Sequence, residues 1–191
     1  MFDLEAFIED CRRLVGEPHA ARRVLERMRE ALADPGALAR AVPPLPANGG
    51  AFDAPLFRSS ELTVLNVMLR PGALSGPHDH RMWAVIGIYE GAEQNTFYRR
   101  DGEGLVEANR RTVQAGEAML LGEEVIHAIE NAGETQTCGR HVYGGDLLGA
   151  ERRMWDPATG RETAYDIPKF VDWSRKLAEG RRAGAGDAPA R

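Results

Sequence analysis

Cysteine is scarce: the 191-residue chain has two, Cys11 and Cys138. That is too few for a disulfide framework and excludes the small secreted scaffolds that depend on one. A reducing compartment, the cytoplasm, is the expected location. Long hydrophobic runs are also missing, and none approaches the ~20 residues that a bilayer-spanning helix needs. The opening Met1-Phe2-Asp3-Leu4-Glu5 has neither the basic start nor the apolar stretch of a secretory leader. No Lys/Arg cluster follows a nucleic-acid-binding motif, and the net charge of −5 disfavours polyanionic partners. Neither nucleic acid nor membrane is an expected partner. The chain has no internal repeat.

What is present reads as one soluble globular domain. Hydrophobic residues make up 43% of the chain and charged residues 28%, and the length allows a substantial core. Leu4, Phe7, Ile8, Cys11, Leu14 and Val15 fall at helical spacing. Glu17-Pro18 interrupts and restarts the chain, and Ala21, Val24, Leu25, Met28 and Leu32 form a second apolar stripe. Asp34-Pro35-Gly36 ends that stripe, a short third helix runs toward Val42, and Pro43 to Gly50 reads as a connector.

From Phe57 the period changes from helical to two. Strands are expected over Leu62–Leu69, His78–Tyr89, Glu93–Arg100, Leu105–Val113, Glu117–Leu121, Val125–Ile129 and Thr135–Leu147, separated by Gly-rich turns. Many short strands of this kind imply an antiparallel sandwich or barrel. After Leu177 the composition turns to Gly, Ala and Arg, which predicts a tail without order.

The stretch Pro77-His78-Asp79-His80 carries the clearest chemical signal. Two histidines one residue apart on an extended segment project from one face, where both can bind the same metal ion. A third imidazole from another strand, His127, would complete a triangular face and leave the opposite side open. The competing reading is a solvated histidine pair. His19 lies in the helical region and suits a surface or capping role. Glu93 begins the strand after the Glu90-Gly91 turn, where it either points inward as a ligand or acid/base group or serves a structural, solvent-facing role.

Gly72, five residues, His78, one residue, His80 resembles the first half of the cupin signature, and Gly116 with His127, three residues, Asn131 resembles the second half more loosely. The resemblance covers roughly Leu62 to Tyr143. It implies a mainly β fold, the cupin double-stranded β-helix or jelly-roll barrel, here with an N-terminal helical segment. Where typical cupins carry a Glu ligand, this chain has Ala84 and Val85. The implied site is three neutral imidazoles without a carboxylate. A divalent metal held there keeps its full charge and favours an anionic ligand such as a thiolate or enolate.

Three further features narrow the resemblance: His141 and Tyr143 two apart in Arg140-His141-Val142-Tyr143, the Trp155–Gly160 segment, and the helical region before the barrel. Together they look like the thiol dioxygenases, the cysteine and 3-mercaptopropionate dioxygenases. By that resemblance the metal ligands are His78, His80 and His127, the metal is Fe(II), and His141 and Tyr143 are the catalytic pair. The expected reaction oxidises a small thiol to a sulfinate with O2. The Ser of the family's Ser-His-Tyr set is Gly139 here, and Val85 stands where mammalian members carry a cross-linking Cys. The chain is also similar to a bacterial group of predicted metal-dependent enzymes of the double-stranded β-helix superfamily, through His78-Asp79-His80 with Trp83, Gly91-Ala92-Glu93, and His141 to Asp146.

A carboxylate-bearing substrate needs a cation. Arg58 sits just before the first barrel strand, where the family places its carboxylate-binding Arg, and Arg161 is a second candidate. Arg140 alternates with His141 and should face away, as should Cys138, which reads as a small buried residue. Trp83 and Trp155 suit packing. The expected domain spans 1–178, with a helical segment to 45, a barrel core over 57–147, a C-terminal extension over 148–178, and an unstructured tail over 179–191. A monomer or homodimer is the expected assembly. Other readings are a β-diketone-like carbon-directed dioxygenase, a non-redox cupin enzyme using Zn, Ni or Mn, and a small-ligand-binding cupin.

Overall fold

The structure, a computed structural model, describes residues 2–41, 55–102 and 104–186. The expected Pro43–Gly50 connector lies outside the described residues. Three helices come first: α1 (Leu4–Val15), α2 (Ala20–Ala31) and α3 (Pro35–Arg40). Asp3 caps α1 by accepting from the Ala6 N–H, and Asp34 caps α3 by accepting from the Ala37 N–H with Pro35 in the first turn. Phe7, Cys11 and Leu14 point inward from α1, and Val24, Met28 and Ala31 from α2. His19 occupies the N-cap position of α2 with φ 61° and makes no side-chain cap.

Among the described residues eleven strands follow, numbered in chain order: β1 (Pro55–Arg58), β2 (Thr63–Leu69), β3 (His78–Asp79), β4 (Ala84–Glu90), β5 (Ala92–Asp101), β6 (Gly104–Gln114), β7 (Ala118–Leu121), β8 (Ile126–Glu130), β9 (Thr137–Tyr143), β10 (Arg153–Trp155) and β11 (Glu162–Ala164). One sheet has the order β1-β2-β9-β4-β7 and the other β11-β10-β3-β8-β5-β6. The eight strands β2 to β9 pass from sheet to sheet, except for the β5–β6 hairpin within one sheet, so that β2-β9-β4-β7 faces β3-β8-β5-β6. That order is the jelly roll, the barrel the sequence reading expects. A fourth helix, α4, runs from Ile167 to Gly186. No helix of the described residues is long and apolar enough to cross a membrane.

Two cores divide along the period of two. Leu65, Val67, Ile86, Ile88, Val113, Met119 and Ile129 fill the barrel interior. Val64, Val85, Cys138 and Val142 point the other way, into a layer with Phe7, Cys11, Val24 and Met28. On β9 this alternation sends His141 and Tyr143 inward and Cys138, Arg140 and Val142 toward the helices, as expected for Arg140 and Cys138. Arg140 is nevertheless fully buried, its guanidinium 6.0 Å from the Tyr89 ring and without a hydrogen-bond partner. Desolvation lowers its pKa to about 10.

Two expectations need correction. The continuous strand over His78–Tyr89 is instead β3 and β4, which lie in opposite sheets. Between them Arg81 adopts φ 58°, a left-handed conformation that turns the corner from one sheet to the other. Apolar alternation continues through such a corner, so the pattern alone hides it. The tail expected without order from 179 is helical as far as Gly186. Residues 187–191 lie outside the described residues.

Met28 is fully buried between α2 and the five-stranded sheet, and a Cβ on Gly87 of β4 would come within 2.5 Å of its sulfur. Met28→Ala is expected to cost about 2–5 kcal/mol in urea unfolding while leaving metal binding unchanged, because the helical layer and the histidines lie on opposite faces of that sheet.

Candidate metal centre

His78 and His127 face each other as cross-strand partners in the β3–β8 pair. His80 lies one residue past β3, before the corner at Arg81. The three ring centroids are 4.7–5.1 Å apart, and all three rings are buried. Among the described residues they form the one group of three or more His, Cys, Asp or Glu side chains whose ligand atoms lie within 4.8 Å of one another. Asp79 points elsewhere, as alternation requires, and its Oδ1 accepts from the Arg153 N–H at 2.7 Å.

The ring orientations fit a metal. His78 Nδ1 lies 3.1 Å from the Gly76 carbonyl and His127 Nδ1 lies 2.8 Å from Asn95 Oδ1. Each partner is an acceptor, so each Nδ1 carries the hydrogen and each Nε2 presents a lone pair. His127 Nε2 and His80 Nε2 are 3.3 Å apart. Two nitrogens each about 2.1 Å from one ion at tetrahedral or octahedral angles would stand about 3.0–3.4 Å apart. Burial is the main cause that lowers the pKa of His78, to about 3, and it holds His80 and His127 well below the usual imidazole range. The trio is therefore neutral, as metal ligands must be.

The motif residues around the trio build turns. Gly72 has φ 73° and donates its N–H to the Asn131 carbonyl, and the Asn131 amide donates to the carbonyls of Leu69 and Thr135. These bonds tie the β2–β3 turn to the end of β8, which carries His127.

His141 and Tyr143 reach the same interior. The Tyr143 hydroxyl lies 3.2 Å from His141 Nδ1, and its ring is 5.0 Å from that of His80. Burial pushes the Tyr143 pKa upward. Glu93 points inward and is fully buried. It is outside the ligand cluster: its Oε1 accepts from Asn95 Nδ2 at 3.0 Å and its Oε2 lies 3.5 Å from His141 Nε2.

Arg58 is not brought to the histidines. It makes a bidentate pair with Asp146, at 2.7 and 2.9 Å, and its side chain is 45% exposed. Arg161 is exposed in the Asp156–Arg161 turn. The cation at the centre is Arg152, which sequence reasoning passes over. It is buried, its guanidinium lies 3.7 Å from the Tyr165 ring centroid, and its Nε has no hydrogen-bond partner. Among the described residues no carboxylate forms an ion pair with it. Arg152 shares a cavity of about 10 Å³ with His78, His80, Tyr143, Leu147, Leu148, Tyr165 and Ile167. Nothing in the local sequence separates Arg152 from Arg153. The pairing of β10 with β3, Met154 opposite His78, brings it there. Phe170 of α4 completes the wall, 5.0 Å from the His78 ring. Trp155 is buried with Arg100 over its ring, and Trp83 packs against Gly144, so both serve packing as expected.

No family model matches the chain. Among solved structures, oxalate decarboxylase from Bacillus subtilis is similar over 46% of this chain and 22% of its own, at 22% identity and a TM-score of 0.40. The chain thus spans about a fifth of that enzyme's length. A conserved protein with a double-stranded beta-helix domain from Klebsiella pneumoniae is similar over 58% of this chain and 84% of its own, at 15% identity and a TM-score of 0.45.

The buried neutral imidazoles carry a pH signature. When the chain unfolds, each histidine protonates near an ordinary pKa of about 6.5, whereas the folded value for His78 is about 3. Between these limits the unfolded state binds more protons, so stability is fully present above about pH 6.5 and is lost as pH falls toward 3. His78 alone accounts for about 2 kcal/mol between pH 6.5 and 5. Thermal melts of metal-free protein at pH 7.5 and 5.0 are expected to show a lower Tm at pH 5.0, and His78→Gln to reduce that difference. A Tm that does not change with pH would contradict buried, neutral rings.

Proposed function

We propose that the protein is a mononuclear metal-dependent enzyme of the cupin type, and specifically an Fe(II) dioxygenase that converts a small carboxylate-bearing thiol to its sulfinate. The observation that carries the reading is the convergence of three neutral imidazoles, without a carboxylate ligand, beside Tyr143 and Arg152. His78, His80 and His127 would hold Fe(II), which supplies the redox chemistry that lets dioxygen react with a thiolate. The reaction balances without a further reductant: both atoms of O2 pass to sulfur, which gives up four electrons, and thiolate becomes sulfinate.

The protein's own groups bind and orient. Three uncharged ligands leave a divalent ion its full charge, which favours an anionic sulfur over a neutral one. Arg152 supplies a fixed guanidinium for a carboxylate, in a fork suited to two parallel hydrogen bonds. Tyr143, held by His141, presents a hydroxyl to the same cavity, and Leu147, Leu148 and Ile167 exclude water. The cavity of about 10 Å³ holds at most one water, so substrate access requires the wall of Tyr165 and Ile167 to move. Ile167, the first residue of α4, is 40% exposed.

Oxygen consumption by Fe(II)-loaded protein across cysteine, 3-mercaptopropionate, cysteamine and a β-diketone tests the reaction. Uptake with the two carboxylate-bearing thiols, with sulfinate as product, is expected. Uptake with the diketone alone would point to a carbon-directed dioxygenase. No uptake, with Zn, Ni or Mn found in protein purified without added metal, would point to a non-redox enzyme.

The two arginines separate cleanly. Arg152→Gln is expected to raise the KM for a carboxylate-bearing thiol at least tenfold, about 1.4 kcal/mol or more of lost binding. Arg58→Gln is expected to leave it within twofold. The opposite ranking, measured by steady-state oxygen uptake, would return the substrate contact to Arg58.

A further inference from the structure

Outside the three ligands, one chain of buried polar groups leaves the metal centre and comes back to it. From His127 Nδ1 it passes to Asn95 Oδ1 at 2.8 Å, and from Asn95 Nδ2 to Glu93 Oε1 at 3.0 Å. It then crosses the barrel interior from β5 to β9, where Glu93 Oε2 lies 3.5 Å from His141 Nε2. His141 Nδ1 meets the Tyr143 hydroxyl at 3.2 Å, and the Tyr143 ring stands 5.0 Å from that of His80. Every member is buried, and Glu93 and Asn95 completely.

We propose that Glu93 is the positioning residue of this circuit: its carboxylate keeps a hydrogen on His141 Nε2, which turns His141 Nδ1 to the Tyr143 hydroxyl, and it braces the ligand His127 through Asn95. The inference deepens the reading above and rests on its three-histidine centre.

Each link follows from donor and acceptor roles. A ligand His127 offers Nε2 to the metal, so its Nδ1 donates and the Asn95 oxygen accepts. That orientation turns the Asn95 NH2 to Glu93, which as a carboxylate only accepts. One oxygen of Glu93 is thereby satisfied; the other, Oε2, and the ring nitrogen His141 Nε2 have no hydrogen-bond partner as they stand, 3.5 Å apart. Leaving two such groups buried and unmatched is costly, and a hydrogen on Nε2 pairs them. Gly139 keeps that side of His141 open: a Cβ there would lie 2.8 Å from Ile88 Cδ1 and 3.1 Å from His141 Nε2. In the neutral ring Nδ1 is then left as an acceptor, so the Tyr143 hydrogen is drawn toward His141 and the oxygen lone pairs face the cavity.

Replacing the carboxylate by an amide reverses the arrangement. In Glu93→Gln the amide oxygen still accepts from Asn95, so the amide NH2 faces His141. His141 Nε2 then becomes an acceptor, the hydrogen moves to Nδ1, and Tyr143 accepts instead of donates.

The test reads ring-nitrogen 15N shifts of His141 by NMR in metal-free, full-length protein. A protonated Nε2 in the wild type, lost in Glu93→Gln, is the expected result. An unprotonated Nε2 in the wild type, or the same His141 pattern in both proteins, would overturn the proposal, and the wild-type reading alone decides should the variant fail to fold. The second arm is Asn95→Leu with Zn(II) as the probe in a competition titration. Affinity is expected to fall 10–100-fold, and a change of less than twofold would refute the brace on His127. Turnover enters neither readout, so a wrong substrate assignment cannot be mistaken for failure of this circuit.

Discussion

Three imidazole rings must stay neutral with their lone pairs aimed at one point inside a dry barrel, and much of the architecture serves that requirement. A solvated histidine gains a proton easily. These three do not, because burial removes the water that would stabilise the charge. Burial alone would leave the rings free to turn. Acceptors on the far side prevent that for two of them: a backbone carbonyl at Gly76 for His78 and the Asn95 amide for His127. His78 and His127 gain further precision from strand register, since they sit directly opposite each other across a hydrogen-bonded pair.

The jelly roll supplies this arrangement at a local cost. β3 is two residues long, and the chain must leave it at once for the opposite sheet. Arg81 takes up the turn in a left-handed conformation that a side chain adopts reluctantly. That turn places His80 at the seam between the sheets, where its ring meets His127 from one sheet and Tyr143 from the other. A straight strand would have carried His80 past both.

The sequence holds the parts of the site that depend on spacing and alternation. His78, His80 and His127 are legible as candidate ligands because their spacing resembles a metal-binding motif, and His141 with Tyr143 because a strand places every second residue on one face. The barrel is legible from the change to period two after Phe57. What escapes is whatever depends on the return of the chain in space. The corner at Arg81 is masked by alternation that continues through it. The role of Arg152 depends on β10 pairing with β3, a contact between segments more than seventy residues apart. Arg58 is claimed by Asp146, which lies 88 residues away. Glu93 could be read as facing in or out from its strand, and the choice rests on whether partners wait inside. They do, in Asn95 and His141. The composition after Leu177 reads as loose, yet α4 extends through it to Gly186.

The charges around the centre constrain what it can receive. The imidazoles contribute none, and Arg152 is buried without a counter-ion among the described residues. Glu93 opposes part of this positive field, but from behind Asn95 and His141 rather than within the cavity. With a divalent ion bound, the cavity face is strongly positive and lacks an anion of its own. Arg152 has the Tyr165 ring against its guanidinium but no carboxylate among the described residues, and a buried cation without an opposite charge is costly. Under the proposed function, a molecule with two negative groups a few bonds apart, one for the metal and one for Arg152, would supply that opposite charge. The same logic separates the two sides of the circuit. On the proposal above, Glu93 acts on the far nitrogens of His127, through Asn95, and of His141, and so steadies the rings from outside the cavity.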